Sequence, residues 1–465
     1  MEYRKTAYLF AGSLLVSGVI LAGLLSFPKA TSIIFVGLLA VFTLWACNRL
    51  VVENEGYYST ITIFWGGAFL YYLGISLEIY ARDLQHANVA GIFISVTDRQ
   101  LLYIALSGIV AVFAFSIGYK LSRFNPRLLE QASDGSDFHN PLPISLISLL
   151  VVTLVILLIF FSDELQLSST YAGNYTVSYL SPVYGLLTGY LTIASTLLGA
   201  LLVAKQTFLE MVTGLILFGL TVLWGVYSSN KDPILLVALA LGAVYILRQK
   251  KQTPALFLKL ISSAVILFII LNMVNALRYP ESRWEEAFRD HSQSLLNFDP
   301  AGPFISLSII TQQPSEWGLG ISYRDTIFLL VPRAVWPERP LDLSEKFARS
   351  QLVDWQPGQG LGYSLLSEAY YNFGWMGAFI QYALIGFLWG WFWRIIQFPL
   401  VRISPLYWRV TYLTFGYYLL IIMHRGPIAG IVKQGIIHFV LLLLLMLYFD
   451  WGRLQRVKLA SLEQA

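Results

Sequence analysis

Charge is what this sequence has least of. Asp, Glu, Lys and Arg make up 12% of the 465 residues and hydrophobic residues 57%, against about 25% and about 45–50% in ordinary soluble domains. A chain so poor in charge cannot keep a large surface in water. Its mean hydropathy of +0.64 points to an integral membrane protein of many spans. A single cysteine, Cys47, excludes an internal disulfide. No Cys/His pair has metal-ligand spacing, and His424 and His438 stand too far apart for a helical pair. No glycine-rich loop precedes a Lys-Ser or Lys-Thr pair, so a P-loop energy source is excluded. Asp-x-Asp pairs, a common way to hold a divalent ion, are missing as well. No metal or other cofactor is expected, and nucleic acid is not expected as a partner.

What is present is a succession of apolar runs. A span needs about twenty predominantly apolar residues, and on that rule about twelve are predicted. They lie near 7–27, 30–47, 59–79, 101–119, 144–162, 183–204, 208–228, 234–247, 256–277, 377–398, 411–424 and 431–450. The start, MEYRK and a long apolar run, reads as the first span. It outlasts a typical signal-peptide h-region, and no small-residue cleavage site follows. Basic residues set the orientation. With the N-terminus inside, the inner loops hold clusters such as Lys120, Arg123 and Arg127, or Arg248, Lys250 and Lys251. The short outer loops hold only Lys29, Arg82, Arg99, Lys231 and Arg425. This positive-inside bias predicts both termini cytoplasmic. The expected fold is an all-α polytopic membrane protein in three parts. Residues 1–277 carry spans one to nine, 278–376 form one large extracytoplasmic loop with short helices, and 377–465 carry the last three spans and a cytoplasmic tail.

One stretch breaks the pattern. From Arg324 to Gly377 it reads RDTIFLLVPRAVWPERPLDLSEKFARS and then QLVDWQPGQGLGYSLLSEAYYNFGWMG. A mostly membranous chain keeps so polar a segment only in water or lining a cavity. The predicted topology sets further cations beside it on the outer side: Lys231 in SSNKDP, Arg278 at the end of span nine and Arg425 in MHRGP. The loop itself adds Arg324, Arg333, Arg339, Lys346 and Arg349. Arginine grips phosphate oxygens through two parallel donors, so such a set suits a lipid pyrophosphate. The plainer role of any one of them is to hold a headgroup or a span end.

Glu368, alone among apolar and aromatic neighbours, is the candidate general base, with Asp325 and His424 behind it. Its plainer role is a helix-surface acid paired with an arginine. Trp336, Tyr370 and nearby aromatics can pack on the apolar faces of sugars, or form a belt at headgroup level. The prolines from Pro332 to Pro340 fix the backbone into a ridge that sets Arg333 against Arg339. Charges at span centres are missing, since Glu210, Lys259 and Lys433 fall near span ends. That argues against an ion-coupled transporter.

Pro332-Arg333-Ala334-Val335-Trp336-Pro337-Glu338-Arg339-Pro340 resembles the Pro-Arg-x-x-Trp-Pro-x-Lys/Arg-Pro segment of bacterial O-antigen (oligosaccharide repeat-unit) polymerases of the Wzy type. Gly362, Glu368, Asn372 and Gly374, in GYSLLSEAYYNFG, resemble a second segment of that family. The motifs cover Arg324–Gly377 at most, and the rest is similar in layout alone. The resemblance implies a GT-C-like transferase of lipid-linked sugars in the bacterial inner membrane. Such an enzyme moves a glycan from undecaprenyl pyrophosphate onto a lipid-linked repeat unit, with inversion and without a metal. On that expectation Glu368, Arg333 and Arg278 are catalytic. Lys231, Arg324, Arg339, Arg425, Trp336, Tyr370 and Asn372 then bind pyrophosphate or glycan. Implied partners are undecaprenyl-pyrophosphate-linked oligosaccharides, membrane lipids and a chain-length regulator protein. An O-antigen ligase would use the same cations, whereas a flippase would turn its charges toward a central cavity.

Overall fold

The computed structural model of the chain describes residues 60–81, 86–89, 92–122, 181–205, 208–227, 230–248, 301–312, 318–331, 335–353, 360–403 and 405–436, with isolated positions at 355 and between 259 and 271. Among these, four helical stretches are long and apolar enough to cross a membrane: Thr60–Tyr80, Asp98–Leu121, Phe208–Val226 and Leu365–Ile396. The chain is a helical membrane protein. The spans predicted near 7–27, 30–47 and 144–162 lie outside the described residues, and those near 256–277 and 431–450 lie largely outside them.

The first crossing among the described residues is built from α1 (Thr60–Ala68), a π-helical turn (Phe69–Gly74) and α2 (Ile75–Ala81). α3 (Asp98–Leu121) opens on a capping box. The Thr97 side chain accepts from the Gln100 backbone, and the Gln100 side chain accepts from the Thr97 N–H at 2.8 Å. Then come α4 (Ser181–Lys205), α5 (Phe208–Tyr227), α6 (Asp232–Arg248), α7 (Ala301–Gln312), α8 (Ile321–Phe328), α9 (Leu343–Gln351) and α10 (Leu365–Ile403). α11 (Pro405–Thr411) continues through a π-helical turn (Tyr412–Gly416) into α12 (Tyr417–Ile422), and residues 428–436 are again helical.

An all-α expectation needs one correction. β1 (His86–Val89) and β2 (Ile92–Ser95) form an antiparallel hairpin that pairs His86 with Ser95 and Val89 with Ile92. The run HANVAGIFIS is apolar and partly β-branched but too short to span. Satisfying its backbone by pairing its two halves is the alternative open to it.

α3 and α10 run side by side in the same direction. Tyr103 meets Tyr370 and Trp375 near their starts, Phe115 backs onto Gly386, and Ser122 meets Gly390 near their ends. The backbones touch: a Cβ on Gly118 would stand 1.8 Å from the Ala383 carbonyl oxygen, and one on Gly386 would stand 2.1 Å from that of Phe115. This is the small-residue packing by which membrane helices associate without a hydrophobic drive. α1 crosses the pair the other way, with Phe64 stacked on Phe115 at 4.1 Å and Thr60 hydrogen-bonded to Tyr412. Residues 98, 365 and 424 therefore share one end of the bundle, and residues 60, 121 and 411 share the other.

α10 is two helices. Phe373 (φ −145°) and Gly374 (φ 61°) break it, as a glycine after LLSEAYYNF predicts. The short piece before the break carries Glu368 and Asn372, and the long piece after it is the crossing.

Candidate active site at one end of the bundle

Glu368 lies in the first turns of α10, 1% exposed. Its Oε2 accepts the backbone N–H of Ile428 at 2.5 Å, which ties the start of α10 to the start of the helix at 428–436. The Leu365 N–H reaches back to the Met423 carbonyl at 3.3 Å. Both α10 and the segment that follows α12 are thus fixed at this end. Arg425, in that segment, pairs with Asp232 at 3.2 Å. Asp232 opens α6 and is the neighbour of Lys231, itself buried at 3% exposure.

Asn372, one turn after Glu368, is fully buried and works as a clamp. Its side-chain nitrogen donates to the Ser322 hydroxyl at 2.6 Å and the Glu368 carbonyl at 2.9 Å, and its side-chain oxygen accepts from Gly320 at 3.0 Å. The Gly318 and Leu319 N–H groups bond to the carbonyls of Tyr371 and Asn372 at 2.8 and 3.2 Å. Four of these contacts dock the turn before α8 and the first turn of α8 onto the Glu368 helix, and the fifth, to the Glu368 carbonyl, lies within that helix. Tyr323, next on α8, donates to Gln381 at 2.5 Å. Burial first, and then the charge of Glu368, push its hydroxyl above the ordinary tyrosine range.

α8 and α9 are clipped by charge. Asp325 is buried and takes Lys346 at 2.8 Å on one oxygen and Arg324 at 3.0 Å on the other. Burial alone would raise its carboxyl, but hydrogen bonds and charges from Lys346 and Arg324 outweigh it and hold the group below the usual carboxylate value. α9 is capped by Asp342, whose Oδ1 accepts from Glu345 N–H at 2.8 Å. Arg339 donates to the Leu329 carbonyl, where α8 ends. Lys346 and Arg339 thus hold the loop together, while Arg324 remains 61% exposed on its side chain.

The other predicted residues are spread around this end. Tyr370 accepts from the Tyr103 hydroxyl at 2.9 Å. Trp336 packs edge-on against Phe328, ring centres 5.6 Å apart, and stays exposed. Arg278 and Arg333 lie outside the described residues, so the Arg333–Arg339 ridge is not described. His424 is fully buried against Phe64, Tyr71 and Tyr72, in a space that Gly67 leaves open. All three candidate bases, Glu368, Asp325 and His424, are closed to solvent in this form.

Sequence reasoning missed Asp232, although an acid directly after Lys231 at a helix start is a visible sign of a local partner. It also missed a buried hydroxyl chain, Ser306 to Ser367 at 2.9 Å and Ser367 to Ser364 at 2.7 Å, since serines carry no pattern of their own. Among the described residues no group of three His, Cys, Asp or Glu side chains is placed to hold a metal ion. No family model, curated protein or solved structure matches this chain.

Proposed function

We propose that the chain is a lipid-linked oligosaccharide polymerase, an inverting, metal-independent glycosyltransferase of the bacterial inner membrane. In this reading it has about a dozen spans, both termini in the cytoplasm and the Glu368 end outside. The acceptor's sugar hydroxyl attacks the anomeric carbon of the donor glycan. A new glycosidic C–O bond forms, and the bond to pyrophosphate breaks. Undecaprenyl pyrophosphate departs with the electron pair, and the hydroxyl proton passes to a base.

One juxtaposition supports this reading. The helix with Glu368 and Asn372, the loop helix with Arg324 and the Asp232–Arg425 pair beside Lys231 come from three distant parts of the chain and meet at one end of an apolar bundle. A pyrophosphate leaving group needs fixed cations aimed at developing charge, and losing one such donor costs about 2.7–4 kcal/mol of barrier. Arg324 is an exposed cation two residues beyond the clamped Ser322. Glu368 serves either as the base, reached once the docked turn at 318–322 lifts, or as the anchor that its bond to Ile428 makes it.

The test is incubation of the purified chain with lipid-linked repeat units, with products resolved by length. A ladder is the expected result. A single transfer onto a lipid A core would replace the reading with a ligase, and movement without bond formation would replace it with a flippase. Arg324→Ala, and likewise Arg333→Ala and Arg278→Ala, are expected to slow elongation about 100- to 1,000-fold, with single-repeat product accumulating. Normal ladders from all three would remove the pyrophosphate clamp.

A further inference from the structure

α8 is inside out for a helix in water. Its inward residues, Ser322, Asp325 and Thr326, are polar and buried. Its outward residues, Ile321, Arg324 and Ile327, stand three apart on one side, two of them apolar with a cation between. Ile327 is 67% exposed, and the apolar strip continues past both ends of the helix to Leu319, 75% exposed, and Leu330. Leu319 also has φ +42°, a left-handed conformation that L-residues avoid. The clamp around Asn372 keeps it there, side chain outward.

The same strip joins a face that already belongs to the bilayer. Along the crossing part of α10, Met376, Ile380, Leu384, Leu388 and Ile395 are exposed at helical spacing, the lipid-facing stripe of a span. Phe373 heads that stripe, also exposed. Its ring lies against Gly320 and 6.2 Å from the Tyr323 ring, so the stripe runs onto the Leu319 turn.

We propose that α8 lies in the plane of the membrane. Leu319, Ile327 and Leu330 are inserted among the acyl chains of the adjoining leaflet, and Arg324 sits at the level of the lipid phosphates. Acyl chains remove the cost of an outward apolar face, and a long guanidinium stem flanked by apolar residues reaches the headgroups by snorkelling. Asp325 and Lys346, on the inward side, then close the polar half of the helix against α9. Neither the glycosyl-transfer reading nor the sidedness of the membrane enters this inference.

The full chain in lipid nanodiscs tests it, in a Cys47→Ser background with single fluorescent labels on L319C, I327C, L384C and E338C. Position 384 is the lipid-facing reference, and exposed position 338 is the aqueous one. Lipids with a nitroxide on the acyl chain are expected to quench the labels at 319 and 327 within about twofold of that at 384, while aqueous iodide quenches only that at 338. Iodide quenching at 319 and 327 equal to that at 338 overturns the proposal. So does protection from both quenchers, which would mean that a second copy or another protein covers the face. The unaltered chain supplies an independent measurement. A photoactivatable acyl chain is expected to mark the peptide 319–330 by mass spectrometry, and an unmarked peptide overturns the proposal without any variant.

Discussion

Glu368 places a carboxylate inside protein with a backbone N–H on one of its oxygens, an arrangement that costs heavily when the donor or the acceptor is removed alone. Glu368→Ala leaves the Ile428 N–H unpaired, and a hydrogen bond to a charged group is worth about 1.5–3 kcal/mol. The variant is expected to melt measurably lower than the wild type. Glu368→Gln keeps an oxygen acceptor, so its stability loss is smaller while elongation is lost. An alanine variant as stable as the wild type would remove the anchor, and a glutamine variant that elongates normally would remove the base. The acid stood out in the sequence because charge is so rare around it. Its partner did not, because Ile428 is 60 residues away and offers only a backbone N–H, which no residue type advertises.

At the scale of elements, the α8–α9 clip has a pH signature. The Asp325 carboxyl is held below its ordinary value by Lys346 and Arg324. The folded protein therefore binds that proton less readily than the unfolded chain does. The stabilisation is present above the unfolded carboxylate value, about 3.9, and is lost as pH falls through the lower folded value. Melting temperature measured from pH 7 down to pH 3 should fall for the wild type. The fall should be shallower for Asp325→Asn, which starts lower at pH 7. Parallel curves for the two would show that the clip contributes nothing.

Local signals were readable for some elements and silent for others. Thr97 and Gln100 announce the start of α3, and Gly374 announces the break in α10, because capping and positive φ are chemistry of neighbouring residues. The hairpin at 86–95 was hidden in a loop, being too short to show a period. The two π-helical turns have no sequence signature, since an extra residue per turn is imposed by packing partners from other helices. Arg339 and Trp336 read as ligand-facing because of their motif. The contacts they make within the loop, Arg339 at the end of α8 and the still exposed Trp336 against Phe328, carry no signal in that motif.

At the scale of the molecule, the most extensive helix contact among the described residues is the parallel one of α3 against α10, which demands glycine at Gly118 and Gly386. Gly386→Leu pushes side-chain atoms into the Phe115 carbonyl. Overpacking usually costs about 1–3 kcal/mol and more where backbone is the obstacle. Loss of folded, detergent-soluble protein is the expected result, and full recovery would mean the helices are not this close. That spacing could not be read from apolar runs, which are blind to which spans touch.

Direction is different. Parallel α3 and α10, with α1 crossing them the other way, bring Asp98, Asp232, Leu365 and Arg425 to one end and Thr60 and Leu121 to the other. With the proposed topology, in which only the short connecting loops are counted for the positive-inside bias, the first end is expected outside. Asn230 and Leu121 are both exposed, one at each end. In intact spheroplasts of a Cys47→Ser strain, a membrane-impermeant maleimide is therefore expected to label N230C before lysis and L121C only after it. Labelling in the reverse order would put the Glu368 end in the cytoplasm and overturn the proposed polymerase reading.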